Sequence, residues 1–201
     1  MKRILLSMLF AAATAISAVP SFAQTSGPIS TAEEDWLTYI KLDMGFSIGT
    51  TKFGQKGADE DEIAEIGGIT NVALGWQKER SRFELAYQER ASISELISTM
   101  LGITSSFEAF SFMANAYYDY VKSEHFAMYT GVGAGAARYH WQTAIWGQKA
   151  NGRGWAFNGG FYNGIAFTGR HFAWDLGIDF YYIEKPETVS FVPKTGIRII
   201  F

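Results

Sequence analysis

FEAFSFMANAYYDYVKSEHFAMYTGVGAGAA, residues 107–137, reads as a β-hairpin. Before the turn, Phe110, Phe112, Ala114, Ala116, Tyr118 and Tyr120 share one side, and Ser111, Met113, Asn115, Tyr117 and Asp119 the other. That is the period-2 alternation of a strand with unlike faces. After the polar turn Lys122 to His125, the residues Phe126, Met128, Thr130, Val132, Ala134 and Ala136 alternate with Ala127, Tyr129, Gly131, Gly133, Gly135 and Ala137. One face is apolar and rimmed by aromatics; the other mixes Asn, Tyr and Asp with glycines. In a soluble sandwich the apolar face would point at a core, whereas in a membrane barrel it meets lipid and the polar face lines the lumen.

The chain begins with Lys2 and Arg3, an apolar run from Ile4 to about Val19, and Ser21-Phe22-Ala23, with small residues at both recognition positions of a signal-peptidase site. Residues 1–23 are therefore expected to be a cleaved secretory signal. Residues 24–35 are a short periplasmic segment, and residues 36–201 form one domain. Without Lys2 and Arg3, 15 basic residues face 20 acidic ones, an excess that offers nothing to a nucleic acid. There is no cysteine. An exported chain without disulfides needs another source of stability, which closing a barrel in a membrane would supply.

Six further segments alternate in the same way. Trp36 to Ile48 is uncharged at even positions and carries Lys41 and Asp43 at odd ones. Residues 68–77 place Thr70, Val72, Leu74 and Trp76 opposite Asn71, Ala73, Gly75 and Gln77. Phe83, Leu85 and Tyr87 oppose Glu84, Ala86, Gln88 and Arg90. The segment 155–167 is the least regular, because Asn163 falls among Phe157, Phe161, Ile165 and Phe167; a bulge or face switch is expected near Gly159-Gly160. Residues 172–182 alternate cleanly. Thr195, Ile197, Ile199 and Phe201 end the chain opposite Lys194, Gly196 and Arg198, with Pro193 expected at the irregular start of that strand.

The fold class this implies is all-β: an eight-stranded antiparallel up-and-down transmembrane β-barrel. Long connections (about 50–67, 91–106 and 139–153) alternate with short ones, as external loops alternate with periplasmic turns in such barrels. With that orientation every strand carries a lipid-facing aromatic at its periplasmic end: Trp36, Trp76, Phe83, Tyr120, Phe126, Phe167, Phe172 and Phe201. Aromatic girdles form where amphipathic rings settle between tails and headgroups. A soluble barrel has no reason for one, and the outer membrane is the expected location.

The run Ala114-Asn115-Ala116-Tyr117-Tyr118-Asp119-Tyr120, followed by Tyr129-Thr130-Gly131-Val132-Gly133-Ala134-Gly135, resembles the hairpin of the opacity-type surface antigens and their porin-like relatives in Gram-negative bacteria. Trp174-Asp175-Leu176-Gly177 also resembles that family's penultimate strand, although Ile178-Asp179 replaces its commoner aromatic-basic pair. The resemblance implies an eight-stranded outer-membrane barrel without catalytic residues. It also implies insertion by the barrel-assembly machinery through the terminal strand ending at Phe201.

The candidate site is the lumen, with Lys41, Asp43, Glu84, Arg90, Asn115, Tyr117, Asp119, Asp175, Asp179, Lys194 and Arg198 facing inward beside Asn71 and Gln88. Eight strands enclose only enough space for side chains, so these charges must pair. Because the first and last strands close the barrel, Lys194 or Arg198 should reach Asp43. The alternative use of the same residues is a narrow conduction path. A third reading, a lipid-modifying enzyme, needs a nucleophile beside an activating base. His125 and His171 fall in periplasmic turns and His140 near an external rim, and none precedes a serine at the spacing of such sites. No cofactor or metal is expected; the acidic run Asp59 to Glu62 lacks calcium-loop spacing.

Two external features stand out. Ser92 and Glu95 form a capping box before Ile93, Leu96, Ile97, Met100 and Leu101 at helical spacing, predicting a short amphipathic helix over about 93–101 unless the strands simply extend. Trp141, Trp146 and Trp155 suit contact with a host surface or the outer interface. The expected function is a non-enzymatic, surface-exposed outer-membrane protein of structural or adhesion type, partnered by membrane lipid.

Overall fold

The computed structural model describes residues 36–53, 61–92, 103–145 and 148–201. The expected signal peptide, the periplasmic segment 24–35, the helix proposed over 93–101, Asp59, Glu60 and Trp146 all lie outside those residues. The eight strands are β1 (Leu37–Phe53), β2 (Asp61–Lys78), β3 (Ser81–Ser92), β4 (Ile103–Lys122), β5 (Phe126–Ile145), β6 (Gln148–Thr168), β7 (Phe172–Ile183) and β8 (Glu187–Ile200). Each pairs antiparallel with the next, and β1 pairs with β8 from Tyr39↔Ile200 to Lys52↔Glu187, closing the barrel. Closure leaves no unpaired sheet edge, the condition for crossing a bilayer with strands.

Strict alternation separates the two surfaces. On β3, Arg82, Glu84, Ala86, Gln88 and Arg90 are buried, whereas Phe83 and Leu85 are exposed. The same holds around the barrel, so large apolar side chains such as Leu42, Phe112, Val132, Phe161 and Ile197 lie on the outside while lysines, arginines and carboxylates fill the inside. This is a membrane barrel's distribution, the reverse of a soluble one.

The strands run further than their sequence suggested. β4, β5 and β6 are 20, 20 and 21 residues long, against the ~9–11 that a bilayer requires. The stretch 139–153, expected as a long loop, is therefore mostly β5 and β6 paired in one ribbon, up to Ile145↔Gln148. Here the pattern inverts. Phe107, Ala109, Ala137, Ala156 and Ile183 form a buried apolar cluster with Tyr139 and Trp141 packed on it, whereas Glu108, Arg138, His140, Gln142 and Arg153 point outward. Alternation continues but its polarity flips, as it must where the outer surface passes from lipid to water. Trp141 consequently faces inward rather than outward.

Two irregularities fall elsewhere than expected. β6 pairs with β5 without a break and keeps one alternation through Gly159 and Gly160, so no bulge or face switch occurs there. Asn163 sits on the outer face between Thr130 and Ile178. The register shift lies instead between β4 and β5, at Asp119/Val121 beside the short turn that joins them. Nor does Pro193 begin β8, which already starts at Glu187. Without an N–H it cannot donate to a neighbouring strand, and the β1–β8 ladder skips the pairs around Phe46 and Ser47 beside it. Pairing with Ile178 on the other side carries the strand through.

Candidate functional site

Lumen residues come together because tilted strands of opposite direction deliver inward positions to shared layers. At the end with the short turns, Arg82 is fully buried, with Nη2 2.8 Å from Asp119 Oδ1 and Nη1 4.0 Å from Asp175 Oδ1. Its guanidinium lies 5.1 and 4.5 Å from the ring centres of Tyr117 and Tyr129, two rings that meet edge to face beside it. Arg198 donates from Nε and Nη2 to the two oxygens of Asp175, at 2.7 and 3.1 Å, and from Nη1 to Gln77. This fork geometry is available to arginine and not to lysine.

The middle layer is a chain of alternating charges. Lys41 lies 3.1 Å from Asp43 and 3.7 Å from Glu84, and Tyr39 donates to Glu84 at 2.8 Å. Asn71 donates to Asp43 as well. Lys194 reaches Asp43 at 3.6 Å and Asp179 at 2.6 Å, while the Tyr181 hydroxyl donates to Asp179. Arg198, the other candidate for Asp43, is taken by Asp175. Tyr117, Tyr129, Tyr162 and Tyr181 pack as a column of rings, with Tyr162 donating to Asn115.

The outer layer is thinner in charge. Arg90 is buried over the Tyr181 ring and donates to Ser190, and the carboxylate that acts on it, the buried Glu65, lies beyond ion-pair distance. Asn158 donates to Ser111, and Thr51 bonds Thr188. The glycines of residues 131–135 serve the same packing: a Cβ at Gly131 would strike the Tyr117 ring, and one at Gly133 would strike Asn115 and Tyr162. Eight strands leave no spare width, so a ring on one strand demands glycine opposite.

All eleven predicted lumen residues lie on the inner face, and hydrogen bonds, ion pairs and ring contacts join them, Arg90 through the Tyr181 ring alone. Residues outside that set belong to the same network, Tyr129 and Gln77 among them. Arg82 stands one step outside the predicted third strand, in line with Glu84 and Ala86. Tyr39, Tyr162 and Tyr181 occupy inward positions whose aromatic character suggested no polar role. Glu65, also buried, belongs to a stretch expected as loop.

On the outside, Trp36 stacks against Phe83 at 5.8 Å, Phe126 against Phe167 at 5.8 Å, and Phe167 against Trp174 at 5.9 Å. Tyr120, Phe172 and Phe201 are exposed near the same end, and Trp76 is half-buried. Glu89 is an outward carboxylate on β3, receiving a hydrogen bond from the Tyr87 hydroxyl at 2.9 Å. His125 and His171 lie in the short β4–β5 and β6–β7 turns, where their carbonyls accept from Thr168 and Ile200. His140 meets Gln142 at 3.0 Å on the outer surface. Among the described residues no group of three His, Cys, Asp or Glu could hold a metal.

A closed barrel with apolar outside, charged inside and short turns at one end defines an outer-membrane β-barrel, and solved structures share that fold. No family model matches the chain, and no curated protein does. The crystal structure of Neisserial surface protein A is similar to 82% of this chain over 97% of its own, at 16% identity and a TM-score of 0.59. Ail, the attachment invasion locus protein of Yersinia pestis, is similar over 80% of this chain and 98% of its own, at 13% identity and a TM-score of 0.49. The N-terminal β-barrel domain of OprF from Pseudomonas aeruginosa follows, over 81% and 97%, at 14% identity and a TM-score of 0.45. At these identities the likeness is one of architecture, in keeping with the resemblance to opacity-type antigens.

Proposed function

We propose that the chain is a non-enzymatic, surface-exposed outer-membrane protein whose barrel is a solid anchor rather than a channel. The observation that carries this is the lumen itself. Arg82, Arg198, Lys41 and Glu84 are among its fully buried side chains, and they are joined to Asp43, Asp119, Asp175, Asp179 and Lys194 across the lumen between β1, β3, β4, β7 and β8. An ion entering would have to break pairs whose separation leaves charges buried and unmatched. Residues 1–23 act as a cleaved export signal and 24–35 as a periplasmic lead. The terminal strand through Phe201 serves recognition by the assembly machinery, and the outward girdle anchors the periplasmic rim in lipid. The water-exposed ribbon of β4–β6 supplies a surface for adhesion-type contact with a host or neighbouring protein.

Single-channel recording of the refolded protein is the test: only brief, small openings are expected. Large, steady conductance would make the protein a narrow pore. Release of fatty acid from lipopolysaccharide would make it an enzyme.

A further inference from the structure

The outer face of β4–β6 changes character where the hydrophobic pattern inverts. Pairing aligns three outward side chains in each row: Glu108, His140 and Arg153 at the top, then Phe110, Arg138 and Trp155, then Phe112, Ala136 and Phe157, then Ala114, Ala134 and Gly159. The upper two rows line one open concavity, floored by Tyr139 and Gly154. Below it the small residues Ala136, Ala134 and Gly159 leave a trough beside Phe112 and Phe157, both of which are exposed. Neither Arg138 nor Arg153 forms an ion pair among the described residues.

The height of the site follows from the register. Twelve residues separate Phe126↔Phe167 in the periplasmic girdle from Arg138↔Trp155. At about 3.3 Å per residue and a tilt near 40°, this is a rise of about 30 Å, close to the ~25 Å apolar band plus the start of the headgroups. On β5 every outward residue from Phe126 to Ala136 is uncharged, and Arg138 is the first charge. An occupant must therefore offer an anion at the arginines and hydrocarbon directly beneath them, which excludes a free anion and a water-soluble protein alike.

We propose that this face is a lipid-binding site: Arg138 and Arg153 hold the phosphate of an anionic outer-leaflet lipid, Trp155 and Phe110 flank its glycerol or sugar region, and an acyl chain lies over Ala136, Ala134 and Gly159. Two guanidinium forks suit a phosphate, and Glu108 accepts from headgroup hydroxyls. The site rests on the chain being membrane-inserted.

The test uses the full barrel refolded in phosphatidylcholine vesicles doped with phosphatidic acid or with diacylglycerol of the same chains, and native mass spectrometry reads the lipid retained after extraction. Wild type is expected to retain phosphatidic acid over diacylglycerol. R138Q and R153Q should each weaken retention about fivefold, and K52Q, at another outward basic position, should not. Equal retention of the two lipids by wild type, or undiminished retention by the R138Q/R153Q double variant, would overturn the site. Displacement by inorganic phosphate alone would overturn its acyl half. Heat-shifted gel migration of the same samples reports membrane insertion separately; without that shift the membrane reading fails and takes the site with it.

Discussion

Arg82 shows how much one lumen side chain can hold. It is fully buried, paired with Asp119 and in contact with two tyrosine rings. Taking a guanidinium out of water is costly, and the pair contributes only because both partners are present. Asp119→Ala should therefore destabilise the barrel by about 3–5 kcal/mol, read as a shift in the urea unfolding midpoint in lipid vesicles. Arg82→Met combined with Asp119→Leu should recover most of that loss; failure to recover would mean that the tyrosine contacts, not the charge pair, dominate. Arg82 was nearly legible in the sequence, since extending the Glu84, Ala86, Gln88 alternation one step back reaches it. Which acid it takes was not, because Asp119 and Asp175 share its layer only through tilt and register.

At the scale of elements, alternation was readable wherever a strand crosses lipid and misleading where it leaves it. The ribbon above Arg138 looked like loop because its apolar residues turn inward and its polar ones outward, with glycines at 152 and 154 accommodating Trp141 and Tyr139. Two strand-level outcomes follow from the geometry. Val132 is lipid-facing and 59% exposed within the apolar band, so Val132→Arg should cost about 2–4 kcal/mol in the same unfolding assay, whereas an inward-facing residue would respond differently. The β2–β3 turn holds Glu79 at φ 50°, a left-handed conformation that a side chain with a Cβ adopts at a cost. Glu79→Gly should raise stability by roughly 0.5–1 kcal/mol; a loss would mean that its own side-chain contacts outweigh the strain.

The whole molecule is an anchor with an uneven rim. β3 and β7 have 12 residues each and end near the membrane, whereas β4–β6 rise well beyond it. Detergent-folded protein should migrate faster on a gel than the boiled chain, since a closed ladder resists dodecyl sulfate until heated; identical migration would sink the barrel reading. The sequence alone revealed the eight strands and, where they cross lipid, their inward and outward faces, because a period of two against lipid on one side leaves little freedom. Only the tertiary structure decided which charges meet, that β6 runs unbroken, that Pro193 lies within β8, and that the outer ribbon reverses polarity. Those features depend on stagger between strands and on where water replaces lipid, and neither is encoded in any single segment.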